Sequence, residues 1–137
     1  MIIDSNVVIH AFIPGDLTAK ARHVLSQVGL CAPDILIAEV ANVFGRMVRT
    51  RAIDGAQAAE LYASVKKLPL RLVPSREVLD RAFELSLELG HPIFDCYYLE
   101  TAIRERLPLV TADARFIQKL KAHSHTLSPI HLNDWPA

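Results

Sequence analysis

Apolar residues recur along this chain in two rhythms. Short runs, MII at the start, LRLV at 70–73 and LPLV within LPLVTAD, have the length and content of strands buried on both faces of a sheet. Between them apolar residues return every three or four positions, the period of a helix with one buried face. Ala21, Val24, Leu25 and Val28 predict a helix over 17–28, with Gly29 at its stop. Ile37, Val40, Ala41, Phe44 and Met47 predict a second, which Asp34 can cap. Ala58, Leu61, Tyr62 and Val65 follow Asp54 and precede Pro69. Val78, Leu79, Ala82, Phe83 and Leu85 lie between an opening Ser75 with Glu77 and a closing Gly90.

The stretch HPIFDCYYLETA then begins a helix with Pro92 near its first turn, and Phe116, Ile117 and Leu120 mark one more. Ile130 and Leu132 alternate with polar residues in SPIHLNDW and predict a final edge strand. Val7, Val8 and Ile9 would prolong the first strand on propensity alone, up to the break at Pro14 and Gly15. Short apolar strands alternating with amphipathic helices predict a three-layer α/β/α sandwich with a mostly parallel central sheet. At 137 residues this amounts to one domain, 1–137. In such sheets ligands gather outside the carboxyl ends of the strands.

Fifteen basic and fifteen acidic side chains cancel, which excludes the global positive field of a polybasic nucleic-acid binder and makes any polyanion site local. Two cysteines, Cys31 and Cys96, are too few for a disulfide scaffold and lack metal-finger spacing; they read as buried packing residues in a reducing compartment. The N-terminus meets an acid at position 4 with no basic leader, and no apolar run reaches membrane-spanning length, so a cytoplasmic location is expected.

The acids carry the chemical signal. Asp4 and Asp113 each close a predicted strand, where an aspartate serves equally as a turn or cap residue. Glu39 lies in the apolar stretch ILIAEVANVF, sharing a helical face with Asn42 and Arg46; a solvated face explains it as well as a site does. Asp95 stands in a first helical turn, where the helix dipole alone favours a negative charge. Taken together, the four sit at element ends or on polar stripes with no adjacent lysine or arginine. Converging carboxylates without a counter-charge raise one another's proton affinity, and a divalent cation resolves the conflict. An all-oxygen donor set selects magnesium, with manganese possible, over zinc.

In order, MIIDSNVVI, IAEVANVF, FDCYYLETA and LVTADARF resemble the motifs of the PIN-domain family and, at this length, its VapC-like toxin ribonucleases. The resemblance spans nearly the whole chain. It implies that Asp4, Glu39, Asp95 and Asp113 hold the metal, with the hydroxyls of Ser5 and Thr111 beside it; Asn6 is a further supporting candidate, and Tyr98, three residues after Asp95, can pack behind that first turn in a supporting role. Tyr97 reads as core. The resemblance also implies a short helix directly after Asp4, overriding the strand propensity of Val7–Ile9. Where many relatives carry a further acid, two residues beyond Asp113, this chain has Arg115, which leaves the number of metal ions open.

The implied activity is magnesium-dependent endoribonuclease action of a toxin, with metal-activated water attacking the phosphodiester to leave a 3′ hydroxyl and a 5′ phosphate. Implied partners are RNA, a small cognate antitoxin and a second copy of the chain, for which the apolar faces over 34–50 and 54–67 are generous in a small domain. Asn42, Arg46 and Arg115 are the substrate-binding candidates. Arg49 and Arg51, and the cluster Lys66, Lys67 and Arg71, extend the basic surface, the lysines reading as solvated. His10, His23, His91, His123, His125 and His131 show no acid–base spacing and are expected at the surface or packed. A PIN-like module that binds RNA or protein without cutting is the alternative. A phosphoacceptor receiver would need paired acids after the first strand and a late lysine at a strand end, which the chain lacks.

Overall fold

The computed structural model describes residues 1–123 and 127–136, so His125 lies outside the described residues. Five strands, β1 (Ile2–Ile3), β2 (Cys31–Pro33), β3 (Arg71–Val73), β4 (Leu109–Thr111) and β5 (Ile130–His131), form one sheet in the order β3-β2-β1-β4-β5. Every neighbouring pair is parallel. Seven α-helices lie among the described residues: α1 (Ser5–Phe12), α2 (Thr18–Leu25), α3 (Ile35–Arg49), α4 (Gly55–Lys66), α5 (Leu79–Leu89), α6 (Ile93–Glu105) and α7 (Ala114–Ala122). The architecture is the expected three-layer α/β/α sandwich. From β1 the chain moves outward on one side to β2 and β3 and later returns on the other as β4 and β5, so the order reverses between β1 and β4. That reversal opens a crevice at the carboxyl ends of the two strands.

The core runs through the sheet: Ile2, Ile3, Cys31, Leu109 and Val110 are fully or almost fully buried, together with Val40, Phe44, Tyr98, Leu99 and Phe116 from the helices. α6 packs against β1, β2 and β4 and against α5, while α1 joins α2 and α3. Cys96 is buried as well, and Tyr97 belongs to the core as expected.

Several local expectations are corrected. α2 stops at Leu25, so Val28 lies outside it and is 94% exposed. Asp34 does not cap α3 with its side chain; its carboxylate accepts from the backbone and hydroxyl of Ser75, tying β2 to the segment after β3. In α5 the buried face is Ala82, Leu85 and Leu89, and Leu79 and Phe83 point outward with Leu87. The last strand is two residues long, at the sheet edge as expected, and Leu132 begins a 3₁₀ turn. α3 and α4 pack on each other, which accounts internally for part of their apolar surface. Asp54 does open α4, in a capping box with Gln57.

Gly90 closes α5 at φ +58°, with nothing within 4 Å of where a Cβ would stand. Its left-handed conformation turns the chain from α5 into His91, Pro92 and α6. Because no clash intervenes, Gly90→Ala should cost only backbone strain, about 1 kcal/mol of unfolding free energy in a denaturant titration.

Candidate active site

The register Ile3↔Val110 between β1 and β4 sets the next residues, Asp4 and Thr111, side by side at the strand ends. The Asp4 amide donates to the Val110 carbonyl at 3.0 Å. Asp4 occupies the position before α1, yet its side chain makes no cap bond to that helix. Instead its carboxylate is buried to 3% exposure and accepts from three side chains: Thr111 Oγ1 (2.7 Å) and Asn6 Nδ2 (3.0 Å) at Oδ2, and Ser5 Oγ (3.3 Å) at Oδ1. Asn6 also donates to Thr111 Oγ1 at 3.0 Å and accepts the Ala112 amide at 2.9 Å, clamping the start of α1 to the end of β4. The short helix expected after Asp4 is present, and it delivers Ser5 and Asn6 to this cluster.

The other acids arrive on three elements. Asp113 follows β4, and its Oδ1 accepts the Phe116 amide at 3.0 Å, so it caps α7. Glu39 lies in the second turn of α3, and its Oε1 accepts a 2.5 Å hydrogen bond from the buried Tyr98 hydroxyl of α6. Asp95 lies in the first turn of α6, with Oδ2 2.5 Å from His91 Nε2. The His91 ring stacks on Phe116 at a centroid separation of 4.8 Å.

Burial pushes the Asp4 carboxyl up to about 7 from its ordinary 3.8; Thr111 opposes the shift, and the charges of Asp95 and Glu39 add to it. Glu39 is raised by burial and by Asp95, against the bond from Tyr98. Asp95 is raised by burial and by Asp113, against His91. The Tyr98 phenol is held well above its usual range by burial and by Asp4 and Glu39. The four acids therefore share one electrostatic neighbourhood at the crevice. Among the described residues no lysine or arginine forms an ion pair with any of them.

They do not, however, close as a group of three on one point. Each carboxylate turns one oxygen to a fixed partner of its own: Asp4 to Thr111 and Asn6, Glu39 to Tyr98, Asp95 to His91, Asp113 to the Phe116 amide. Among the described residues Glu39 Oε2, Asp95 Oδ1 and Asp113 Oδ2 accept no hydrogen bond, and Asp4 Oδ1 accepts only the long one from Ser5. The oxygens left over are hard donors, a type that suits magnesium or manganese better than zinc.

The PIN domain family matches residues 1–121. This chain belongs to that family. The PIN domain here is similar to Ribonuclease VapC3 of Pyrobaculum aerophilum, 24% identical over 125 residues that span 89% of this chain and 95% of the relative. In fold it is similar to a chain of a toxin–antitoxin complex from Klebsiella pneumoniae, with a TM-score of 0.65, 16% identity and 96% of both chains covered. It is also similar to the crystal structure of PAE2754 from Pyrobaculum aerophilum, with a TM-score of 0.70, 20% identity, and 96% of this chain and 88% of that one covered.

Of the other expected residues, Asn42 lines a cavity with Ser5 and Glu39, while Arg46 and Arg115 are exposed, Arg115 in the first turn of α7 beside Asp113. Two of the three cluster members around the end of α4 are engaged elsewhere: Arg71 pairs with Glu105 at 2.5 Å, and Lys66 lies over the Tyr62 ring. The sequence carries one faint sign of His91: it precedes Asp95 by four residues, the spacing at which helical side chains meet. Pro92 between them hides that signal, because it marks 91 as lying outside the helix.

The raised proton affinity of Asp4 fixes a pH dependence of folding. The folded chain favours the protonated acid, so this stabilisation is complete below the unfolded value near 3.8 and is lost as pH rises through about 7. The gap between those values corresponds to about 4 kcal/mol at most. Asp4→Asn keeps an acceptor for Thr111 and removes the charge. Without divalent cations, thermal melting should show Asp4→Asn above the parent at pH 8, with the difference closing toward pH 4.

Proposed function

We propose that this PIN domain is a metal-dependent endoribonuclease and the toxin of a toxin–antitoxin pair. The observation that carries the reading is the buried, uncompensated acid at the crevice: Asp4, pushed up to about 7 by burial and by Asp95 and Glu39, with no cationic side chain of the described residues paired to it. The similarity to a protein named as a VapC ribonuclease, and in fold to a chain of a toxin–antitoxin complex, supports the substrate class and the kind of partner.

Asp4, Glu39, Asp95 and Asp113 would hold magnesium, or manganese, through the oxygens their protein partners leave free. A divalent cation held there supplies charge neutralisation at a phosphodiester oxygen and lowers the proton affinity of water for in-line attack. The protein's own contribution is orientation. Thr111, Asn6 and Ser5 fix Asp4; Tyr98 fixes Glu39 from behind and remains a supporting residue; His91 fixes Asp95. Such partners stiffen ligands that would otherwise spread apart. The RNA strand, electrically repelled by the acids, would be held by exposed groups near them, Arg46 and Arg115, with Asn42 on the Glu39 face. A homodimer, a single domain and a cytoplasmic setting belong to the same reading. No helix of the described residues is long and apolar enough to cross a membrane.

Parent, Asp4→Asn and Asp95→Asn proteins should be compared on single-stranded RNA in magnesium, in manganese and in chelator. The parent should cut only with metal, and each variant should lose on the order of a hundredfold or more in rate. Manganese should also raise the melting temperature of the parent at pH 8 and leave that of Asp4→Asn nearly unchanged. Cleavage by both variants at the parent's rate would overturn the assignment, and RNA binding without cleavage by the parent would move the protein to the non-cutting module.

A further inference from the structure

Beside the acids, α1, α3 and the first turn of α6 line an open cavity of about 440 Å³, within the size range of small-ligand sites. Ser5, which donates to Asp4, and Glu39 are among its lining residues, so the cavity adjoins the acid cluster. Ile9, Ile35 and Val43 give it apolar walls. Two further lining residues stand out. Phe94, immediately before Asp95 in the same helical turn, is a large apolar residue left 53% exposed beside the site. Asn42, one turn along α3 from Glu39, is exposed, and among the described residues its amide makes no hydrogen bond.

The charge of the lining decides what fits. Among the described residues no lysine, arginine or histidine lines the cavity, and Glu39 does. A phosphate would be repelled there. A nucleobase is neutral and flat, with apolar faces and an edge of donors and acceptors, and it finds a counterpart for each property. An exposed aromatic ring stacks on the face of a base, and an unengaged amide offers a donor and an acceptor to its edge.

We propose that this cavity is a nucleobase subsite, holding a base of the RNA strand next to the phosphodiester presented to the acids, with Phe94 stacking on its face and Asn42 reading its edge. The inference rests on the nuclease reading for the strand's identity and adds where the strand is gripped. Phe94 and Asp95 are consecutive residues of one rigid turn, so a base seated on Phe94 sets the register of the strand against the Asp95 carboxylate. Asn42 and Glu39 share one face of α3 in the same way. Base recognition and positioning of the scissile group thus follow from the same two helical turns, and the cutting sites should carry a base preference at one fixed offset.

The test is a binding cycle in the Asp4→Asn background, which removes cleavage from the measurement, using fluorescent eight-residue oligoribonucleotides and the same strands with an abasic ribose at each position in turn. Phe94→Ala should weaken binding about tenfold, Phe94→Trp should retain it, and Phe94→Leu should behave like Ala, which separates stacking from packing. An abasic ribose at one position should cost as much as Phe94→Ala, and the two together no more than either alone. In the otherwise native protein, Asn42→Ala should flatten the base preference at the fixed offset from the cut. Parent-like affinity for Phe94→Ala, or losses that add fully at every abasic position, would overturn the subsite and leave the cavity to a protein side chain. If the native protein binds RNA with this cycle intact but never cuts it, the nuclease reading fails and the subsite stands. If it cuts while the cycle shows no coupling, the reverse holds.

Discussion

A carboxylate placed at the end of a central strand and shut away from water is unfavourable unless hydrogen bonds hold it, and the surroundings of Asp4 are arranged around that constraint. Thr111 comes from the neighbouring strand by register, Ser5 and Asn6 from the helix that must start at once. Asn6 does the widest work, donating to Asp4 and Thr111 while accepting from Ala112. Had the chain continued as strand through Val7–Ile9, alternation would have carried Ser5 and Asn6 to opposite faces of the sheet and left the acid without this cage. The cage explains why α1 begins at Ser5 against the β-branched run, and why Val7 and Val8 are buried helical residues instead.

Much of the fold was legible because its signals are local. The capping box of Asp54 with Gln57, the left-handed Gly90 and the helical spacing of α3 each depend on a few consecutive residues. What escaped depends on distant ones. Strand β2 is only Cys31–Pro33, too short for any period and ending in a proline, and it is a strand because β1 and β3 pair with it on both sides. Asp34 looked like a cap because of where it stands, yet a residue 41 positions away takes its carboxylate. α5 has apolar residues on both faces, so periodicity could not say which one packing against α6 would bury.

The candidate site was legible as a set of residue types and not as a geometry. For Asp113 the plain alternative, a helix cap, is a true description of one of its oxygens. For Asp4 it is not, since no cap bond is made. Sequence cannot separate these cases, because both aspartates follow a strand and precede a helix. Nor could it show that Asp95 turns to His91, a contact across a proline that interrupts the helical spacing. The expected convergence of four carboxylates at one point is replaced by a looser arrangement, in which repulsion is relieved by giving each acid its own donor.

That looser arrangement has a consequence for how stability and chemistry are divided. Bonding a carboxylate through one oxygen fixes its plane and its position but leaves most of its charge uncompensated, since a hydroxyl or amide donor carries only a partial positive charge. Raised proton affinities at Asp4, Glu39 and Asp95 are the measure of what remains. A protein selected for stability alone would replace such acids with amides or apolar residues of similar size. Keeping them means that the folded state near neutral pH is held below its attainable stability until something positive arrives. Under the reading proposed above, that deficit is recovered on binding, so affinity for a divalent cation and the mutual repulsion of the acids are two sides of one free energy. The same reasoning explains why Asp4 and Glu39 are held by Thr111, Asn6 and Tyr98 and not by lysine or arginine: a full cation beside each would stabilise the fold and abolish the attraction.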